Sequence, residues 1–171
     1  MRLDQLLIAR GLFDSRAQAR AAIEAGGVTV DGRVVTKASL AVADDAVITA
    51  EAAHPFVGRG ALKLHHALTV WPVAVEGRTV LDVGTSTGGF TEVCLLRGAV
   101  RVLAVDVGQG QLHPRLAADP RVVNLEQTDA RALTAAQVDP APELVVCDAS
   151  FISLLKVLPV PLSLAGPGAD L

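Results

Sequence analysis

Apolar positions recur along this chain with two different periods, and the change from one to the other divides it. In residues 2 to 11, Leu3, Leu6 and Leu7 and then Arg10 fall at helical spacing. Ser15 and Gln18 form a capping-box pair ahead of a second helix, and Gly26-Gly27 supplies its stop. Val28-Thr29-Val30 and Arg33-Val34-Val35 flank Asp31-Gly32, a dipeptide suited to the positive φ values of a two-residue hairpin turn. Residues 47 to 49 predict one further strand. Residues 1 to 52 therefore read as a small α+β module, 53 to 57 as a linker, and Gly58-Arg59-Gly60 leads into a helix through Leu62, Leu64 and Leu68. From Thr79 onward β-branched runs alternate with helical segments: strands at 80–83, 102–105, 122–125 and 144–147, helices near 89–97 and 110–118, and a shorter one near 132–138. Such alternation implies an α/β unit, with a parallel sheet covered by helices. The apolar stretch 153–164 carries Pro159 and Pro161 and predicts a kinked or short helix, and 166–171 begins a fifth strand.

Composition narrows the class. The chain has 171 residues, 51% of them apolar and 19% charged, enough for a sizeable core in a small plus a medium domain. No apolar run approaches the roughly 18 to 20 residues that span a bilayer. Met1 leads straight into the amphipathic Arg2-Leu3-Asp4-Gln5, so a cytoplasmic protein off the membrane is expected. Cys94 and Cys147 lie in apolar periodic segments and read as reduced, buried thiols. His54, His65, His66 and His113 make no metal spacing, and no metal is expected. A net charge of -3 argues against a general nucleic-acid-binding field, although a local basic face binds phosphates whatever the total. Arg2, Arg16, Arg20, Arg33 and Lys37 are the candidates for that face, Arg16 and Arg20 being four apart on one helix. Asp4, Asp14, Glu24 and Asp31 lie among them, so a merely solvated surface is the competing reading. With Phe13 the sole aromatic there, backbone and shape recognition of structured RNA fits better than base stacking.

The most informative stretch is 79–90, Thr-Val-Leu-Asp-Val-Gly-Thr-Ser-Thr-Gly-Gly-Phe. A strand ends and a glycine-rich turn opens a helix, where backbone approaches a ligand closely and free N–H groups point outward. The turn lacks both the G-x-G-x-x-G of dinucleotide folds and the Gly-Lys-Ser/Thr of phosphate loops. Asp82, Gly84 and Gly88-Gly89 better suit S-adenosylmethionine, which has a ribose and an amino-acid carboxylate but no phosphates. Asp106 ends the next apolar run about 20 residues on, where a carboxylate reaches a ribose diol.

The segment 1–12, with Ser15-Arg-Ala-Gln-Ala and Gly27-Val-Thr-Val-Asp-Gly-Arg, resembles the S4 RNA-binding domain, and the rest of the chain resembles an FtsJ-type methyltransferase. Their order is that of the TlyA, or hemolysin A, family, on the motifs at 58–64, 81–91, 104–112 and 148–154, with Thr85 and Ala149 as small departures. The resemblance implies a Rossmann-like domain over 58–171 that transfers methyl from S-adenosylmethionine to a cytidine 2'-hydroxyl in ribosomal RNA, in a monomer working on RNA or ribosomal subunits. It implies cofactor contacts from Gly84, Ser86, Gly88, Gly89 and Phe90, from Asp106 at the ribose and from Asp129 near the adenine. Lys63 and Asp148 match the first lysine and the aspartate of a Lys-Asp-Lys-Glu tetrad; such a lysine acts as a base when burial or a neighbouring cation lowers its pKa. The family's second lysine and its glutamate lie beyond the strand starting at Ala169, so the chain is expected to be truncated and catalytically inactive. The competing classes are an RNA-binding protein without catalysis and a membrane-active, hemolysin-like protein. For the latter the sequence offers no spanning segment and no strongly basic amphipathic helix.

Overall fold

The helix pair and hairpin form from local signals. In the computed structural model, which describes residues 1–171, α1 (Leu3–Ala9) and α2 (Arg16–Glu24) pack together, and Ser15 Oγ accepts from Gln18 N at 3.3 Å to cap α2. Asp31 at φ 49° and Gly32 at φ 76° make the turn between β1 (Val28–Val30) and β2 (Arg33–Val34). The third strand, β3 (Ile48–Ala50), pairs antiparallel with the other edge of β1, giving the order β2-β1-β3. It starts one residue later than predicted because Val47 N donates to the Asp31 carboxylate instead of to a strand. Leu3, Leu7, Ala19, Ala22, Ile23 and Val28 fill the core of this unit, Met1–Pro55.

The second unit, Phe56–Leu171, begins with α3 (Gly60–Val70). Its sheet holds β4 (Thr79–Val83), β5 (Arg101–Val105), β6 (Val122–Leu125) and β7 (Leu144–Cys147), all parallel, in the order β6-β5-β4-β7. Val80, Val102, Ala104, Leu144 and Val146 face α3 and α4 (Gly89–Leu96); Leu81, Val83, Leu103, Val105 and Val145 face the opposite layer. Burial on both faces explains why these strands read as nearly continuous apolar runs. The chain winds outward from β4 through β5 to β6, then returns to the other side of β4 as β7. The connection direction therefore reverses between β4 and β7, and in open α/β sheets the crevice at the carboxyl ends there is where ligands bind.

Two elements differ from expectation. The helix predicted over 110–118 shrinks to α5 (Pro114–Ala117), because Asp106 holds Gly108 N at 2.8 Å, Gly110 sits at φ 63°, and His113 Nδ1 caps Arg115 N. Near 132–138 a single 3-10 turn, Ala130–Ala132, replaces a helix: Asp129 caps it, and Gln137 Oε1 takes the Thr134 N–H that a continuing helix would use. The segment 153–164 divides into α6 (Leu154–Val157) and α7 (Pro159–Leu164), as its prolines predict. Asp170 adds one parallel bridge beside Leu144 on β7. No helix is long and apolar enough to cross a membrane.

Candidate cofactor and active site

The buried strand β4 delivers its last residue, Val83, directly to the crevice between β4 and β7. Gly84 comes next at φ 80°, where a Cβ would lie 3.0 Å from Ala149 Cα. Only glycine lets the loop after β4 pass the loop after β7 at this distance. Gly88, at φ 102°, opens α4 against Leu112 and Leu116, whose side chains a Cβ would strike. Beneath the turn Asp82 is wholly buried, its Oδ2 accepting from Thr91 Oγ1 at 2.7 Å while Oδ1 has no hydrogen-bond partner. Burial pushes its carboxyl up to about 6, with the charge of Asp106 adding to the effect.

Asp106 stands at the carboxyl end of β5 with both oxygens tied to backbone: Oδ2 accepts from Ser86 N at 2.7 Å and Oδ1 from Gly108 N at 2.8 Å. On either side of Ser86 lies a hollow. One, of about 180 Å³, is lined by Gly84, Ser86, Gly89, Phe90 and Asp148 together with Gly60, Thr85, Thr87 and Ser150. The other is a shallow depression without room for a water molecule, lined by Asp106, Gly108, Gln111, Leu112, Asn124 and Glu126, and it shares Thr85 and Ser86 with the first. Neither lining includes a lysine or arginine; its charges are Asp148, Asp106 and Glu126. A cradle of this kind disfavours polyphosphate and favours a ligand with cationic groups and hydroxyls. Lys63, one turn into α3, donates to Asp148 Oδ1 at 2.8 Å and Oδ2 at 3.0 Å, joining residues 85 positions apart at the rim.

Most of the sequence-predicted residues meet here. Gly84, Ser86, Gly89 and Phe90 line the first hollow, Gly88 shapes the turn, Asp106 lines the second, and Lys63 and Asp148 pair. Two residues stand apart from the rest. Lys63 is 67% exposed, and its charged neighbour is an anion, Asp148. Asp129 lines neither hollow: its carboxylate accepts from Arg131 N and the Arg131 guanidinium, whose hydrogen bonds hold it below the usual carboxylate range. Asn124 and Glu126 instead occupy the far hollow. Their polar side chains at the end of an apolar strand were the signal for them, as was the Gly58-Arg59-Gly60 run for Gly60.

In the first unit Asp4 is fully buried and accepts from Arg2 Nε at 3.0 Å and Arg16 Nη2 at 2.9 Å; these hydrogen bonds hold its carboxyl well below the usual range. Arg20 lies 3.9 Å from Glu24, so Arg16 and Arg20 each have an acidic neighbour within the chain, while Arg33 and Lys37 are exposed. Cys94 is buried, and burial raises its thiol.

Comparison with known proteins shows the family of the two units. The FtsJ-like methyltransferase model matches residues 56–167 and the S4 domain model residues 1–48. A 16S/23S rRNA (cytidine-2'-O)-methyltransferase TlyA of Mycobacterium tuberculosis is 49% identical over 99% of this chain and 64% of its own length. Hemolysin A of Brachyspira hyodysenteriae is 38% identical over 94% of this chain and 67% of its own. A solved structure described as "Putative hemolysin from Streptococcus thermophilus" superimposes with a TM-score of 0.70 at 36% identity, covering 97% of this chain and 62% of that one. The chain thus spans 64% of the length of the tuberculosis relative. With an S4 domain leading into a parallel sheet whose glycine turn sits at the reversal point, the chain belongs to the FtsJ-like methyltransferase family.

Proposed function

We propose that this chain binds S-adenosylmethionine across the two hollows and belongs to an enzyme that methylates the ribose 2'-hydroxyl of a cytidine in ribosomal RNA, as the name of its tuberculosis relative suggests. The observation that carries the reading is the pair of hollows free of lysine and arginine and meeting at Ser86, with the Lys63–Asp148 ion pair on the rim. Gly84, Ser86, Gly89 and Phe90 hold the amino-acid end, Asp106 accepts from the ribose diol, and Asn124 and Glu126 face the base; Asp129, tied to Arg131, has no part in this assignment. The cofactor supplies an electrophilic methyl group. The chain's own contribution is to orient the acceptor: Asp148 fixes Lys63 Nζ at the rim, Lys63 Nζ stabilises negative charge as it develops on the attacking oxygen, and the proton that the 2'-hydroxyl sheds passes to the Asp148 carboxylate. The exposed side chains among Arg2, Arg16, Arg20, Arg33 and Lys37 meet RNA phosphates, with Asp4 fixing the directions of Arg2 and Arg16.

Calorimetric titration of S-adenosylmethionine into the chain tests the site, with Asp106→Ala as control. Saturable one-site binding is expected in the wild type, weakened by at least about tenfold in the variant, since both a ligand acceptor and the anchor of Ser86 N are lost. A folded wild type that does not bind would overturn the reading.

A further inference from the structure

Glu92 lies in the first turn of α4 with its side chain only 8% exposed, and both its oxygens are engaged. Oε2 accepts from Val57 N at 2.7 Å, and Oε1 receives the guanidinium of Arg115 from α5. A buried carboxylate is tolerated when each oxygen has a donor, and removing one donor leaves an uncompensated charge. The donor chosen here is a backbone N–H of the segment that enters α3. Val57 and its neighbour Phe56 are buried, and the Phe56 ring lies 5.6 Å from that of His65.

Beyond Val57 the chain crosses the glycine turn with no spare room. A Cβ on Gly58 would lie 2.6 Å from Thr87 Oγ1, one on Gly60 3.1 Å from Asp148 Oδ2, and one on Gly89 2.7 Å from Ala61 N. Thr87, Gly60 and Asp148 all line the first hollow. Residues 57–61 therefore form a strap along one wall of that hollow, and α3 carries the strap's position on to Lys63.

We propose that Glu92 is a positioning residue for the cofactor: by gripping Val57 N it holds the strap against the glycine turn and so sets the width of the S-adenosylmethionine cleft. The inference rests on the assignment of that cleft to S-adenosylmethionine. Glu92 touches neither hollow. Its effect passes through the strap.

Calorimetry with S-adenosylmethionine on the full chain, at a temperature where circular dichroism shows each variant folded, reads this directly. Glu92→Ala is expected to weaken binding by about tenfold or more, and to raise amide exchange at 57–61 in the ligand-free protein. Glu92→Gln keeps an acceptor for Val57 N and is expected to stay within about threefold of wild type. Gly58→Ala should weaken binding as Glu92→Ala does, and adding Thr87→Ala, which removes the colliding Oγ1, should restore it to the level of Thr87→Ala alone. Unchanged affinity in Glu92→Ala and Gly58→Ala, or a Glu92→Gln variant as weak as Glu92→Ala, overturns the proposal. If Glu92→Ala does not fold, Glu92→Asp, whose shorter side chain loses its reach to Val57 N, takes its place, and unchanged affinity and unchanged amide exchange at 57–61 in that variant overturn the proposal. Asp106→Ala separates the two levels: loss of binding there with normal binding in the Glu92 and Gly58 variants refutes the strap alone, whereas a wild type that fails to bind refutes the site and the strap together.

Discussion

At the scale of single residues, the carboxylates of this chain differ more than their shared chemistry suggests. Asp82 is shut away from water with one unpartnered oxygen and is raised to about 6, whereas Asp4 is equally enclosed yet depressed, because two guanidinium groups reach it. A raised carboxyl favours the protonated folded state. Its stabilising contribution is complete below the unfolded value near 4 and disappears as pH rises through about 6. The second unit should therefore lose on the order of 3 kcal/mol between pH 4 and 6 from this group, and Asp82→Asn should flatten that slope. Trp71, the single tryptophan, lies in this unit, so denaturant titrations monitored by its fluorescence at several pH values make the measurement. A wild-type-minus-variant difference that does not change with pH would disprove the assignment.

At the scale of elements, two glycines with similar backbone angles should respond differently to a methyl group. Gly32, in the β1–β2 turn, has φ 76° and nothing within 4 Å of a built Cβ, so Gly32→Ala meets only the left-handed backbone penalty, about 1 kcal/mol. Gly88 has φ 102°, and its Cβ would enter the space of Leu112 and Leu116; Gly88→Ala adds overpacking and should cost about 3 kcal/mol or more. Chemical denaturation of both variants checks the difference, and equal losses would show that α5 yields freely. The elements themselves were mostly legible in the sequence. The Asp31-Gly32 turn, the Ser15 cap and the four apolar strands are local signals that tertiary contacts did not override. The exceptions were α5 and the 3-10 turn at Ala130–Ala132, where acidic side chains from Asp106 and Asp129 captured backbone N–H groups and shortened or replaced a helix.

At the scale of the whole molecule, each of the two units holds one fully buried carboxylate, and the two respond to acid in different pH ranges. Asp4 contributes stability that is complete above its unfolded value near 4 and is lost as pH falls through its depressed folded value, so the first unit weakens in acid. Asp82 makes the second unit firmer from pH 6 down to 4. Amide exchange resolved along the chain should therefore show protection rising in Phe56–Leu171 as pH falls from 6 to 4, where Asp82 titrates, while protection in Met1–Pro55 falls only below pH 4. Asp4→Asn should abolish the acid dependence that this group gives the first unit, though it also lowers that unit's stability at neutral pH. Parallel loss of protection in both units down the same pH range would contradict the scheme.

The sequence by itself determined the two-part organisation, the order and nature of nearly every element, the glycine turn at 84–89 and the acidic residue ending β5. Each is written in periodicity or turn chemistry within a dozen or so neighbouring residues. Tertiary structure alone decided the partners. It brought Lys63 to Asp148, enclosed Asp4 between Arg2 and Arg16, turned Asp129 toward Arg131, and joined Glu92 to Val57. The reason is that a charged group's role depends on which donor lies within about 3 Å and how much water remains around it. Spacing along the chain sets which residues share an element, but not those distances.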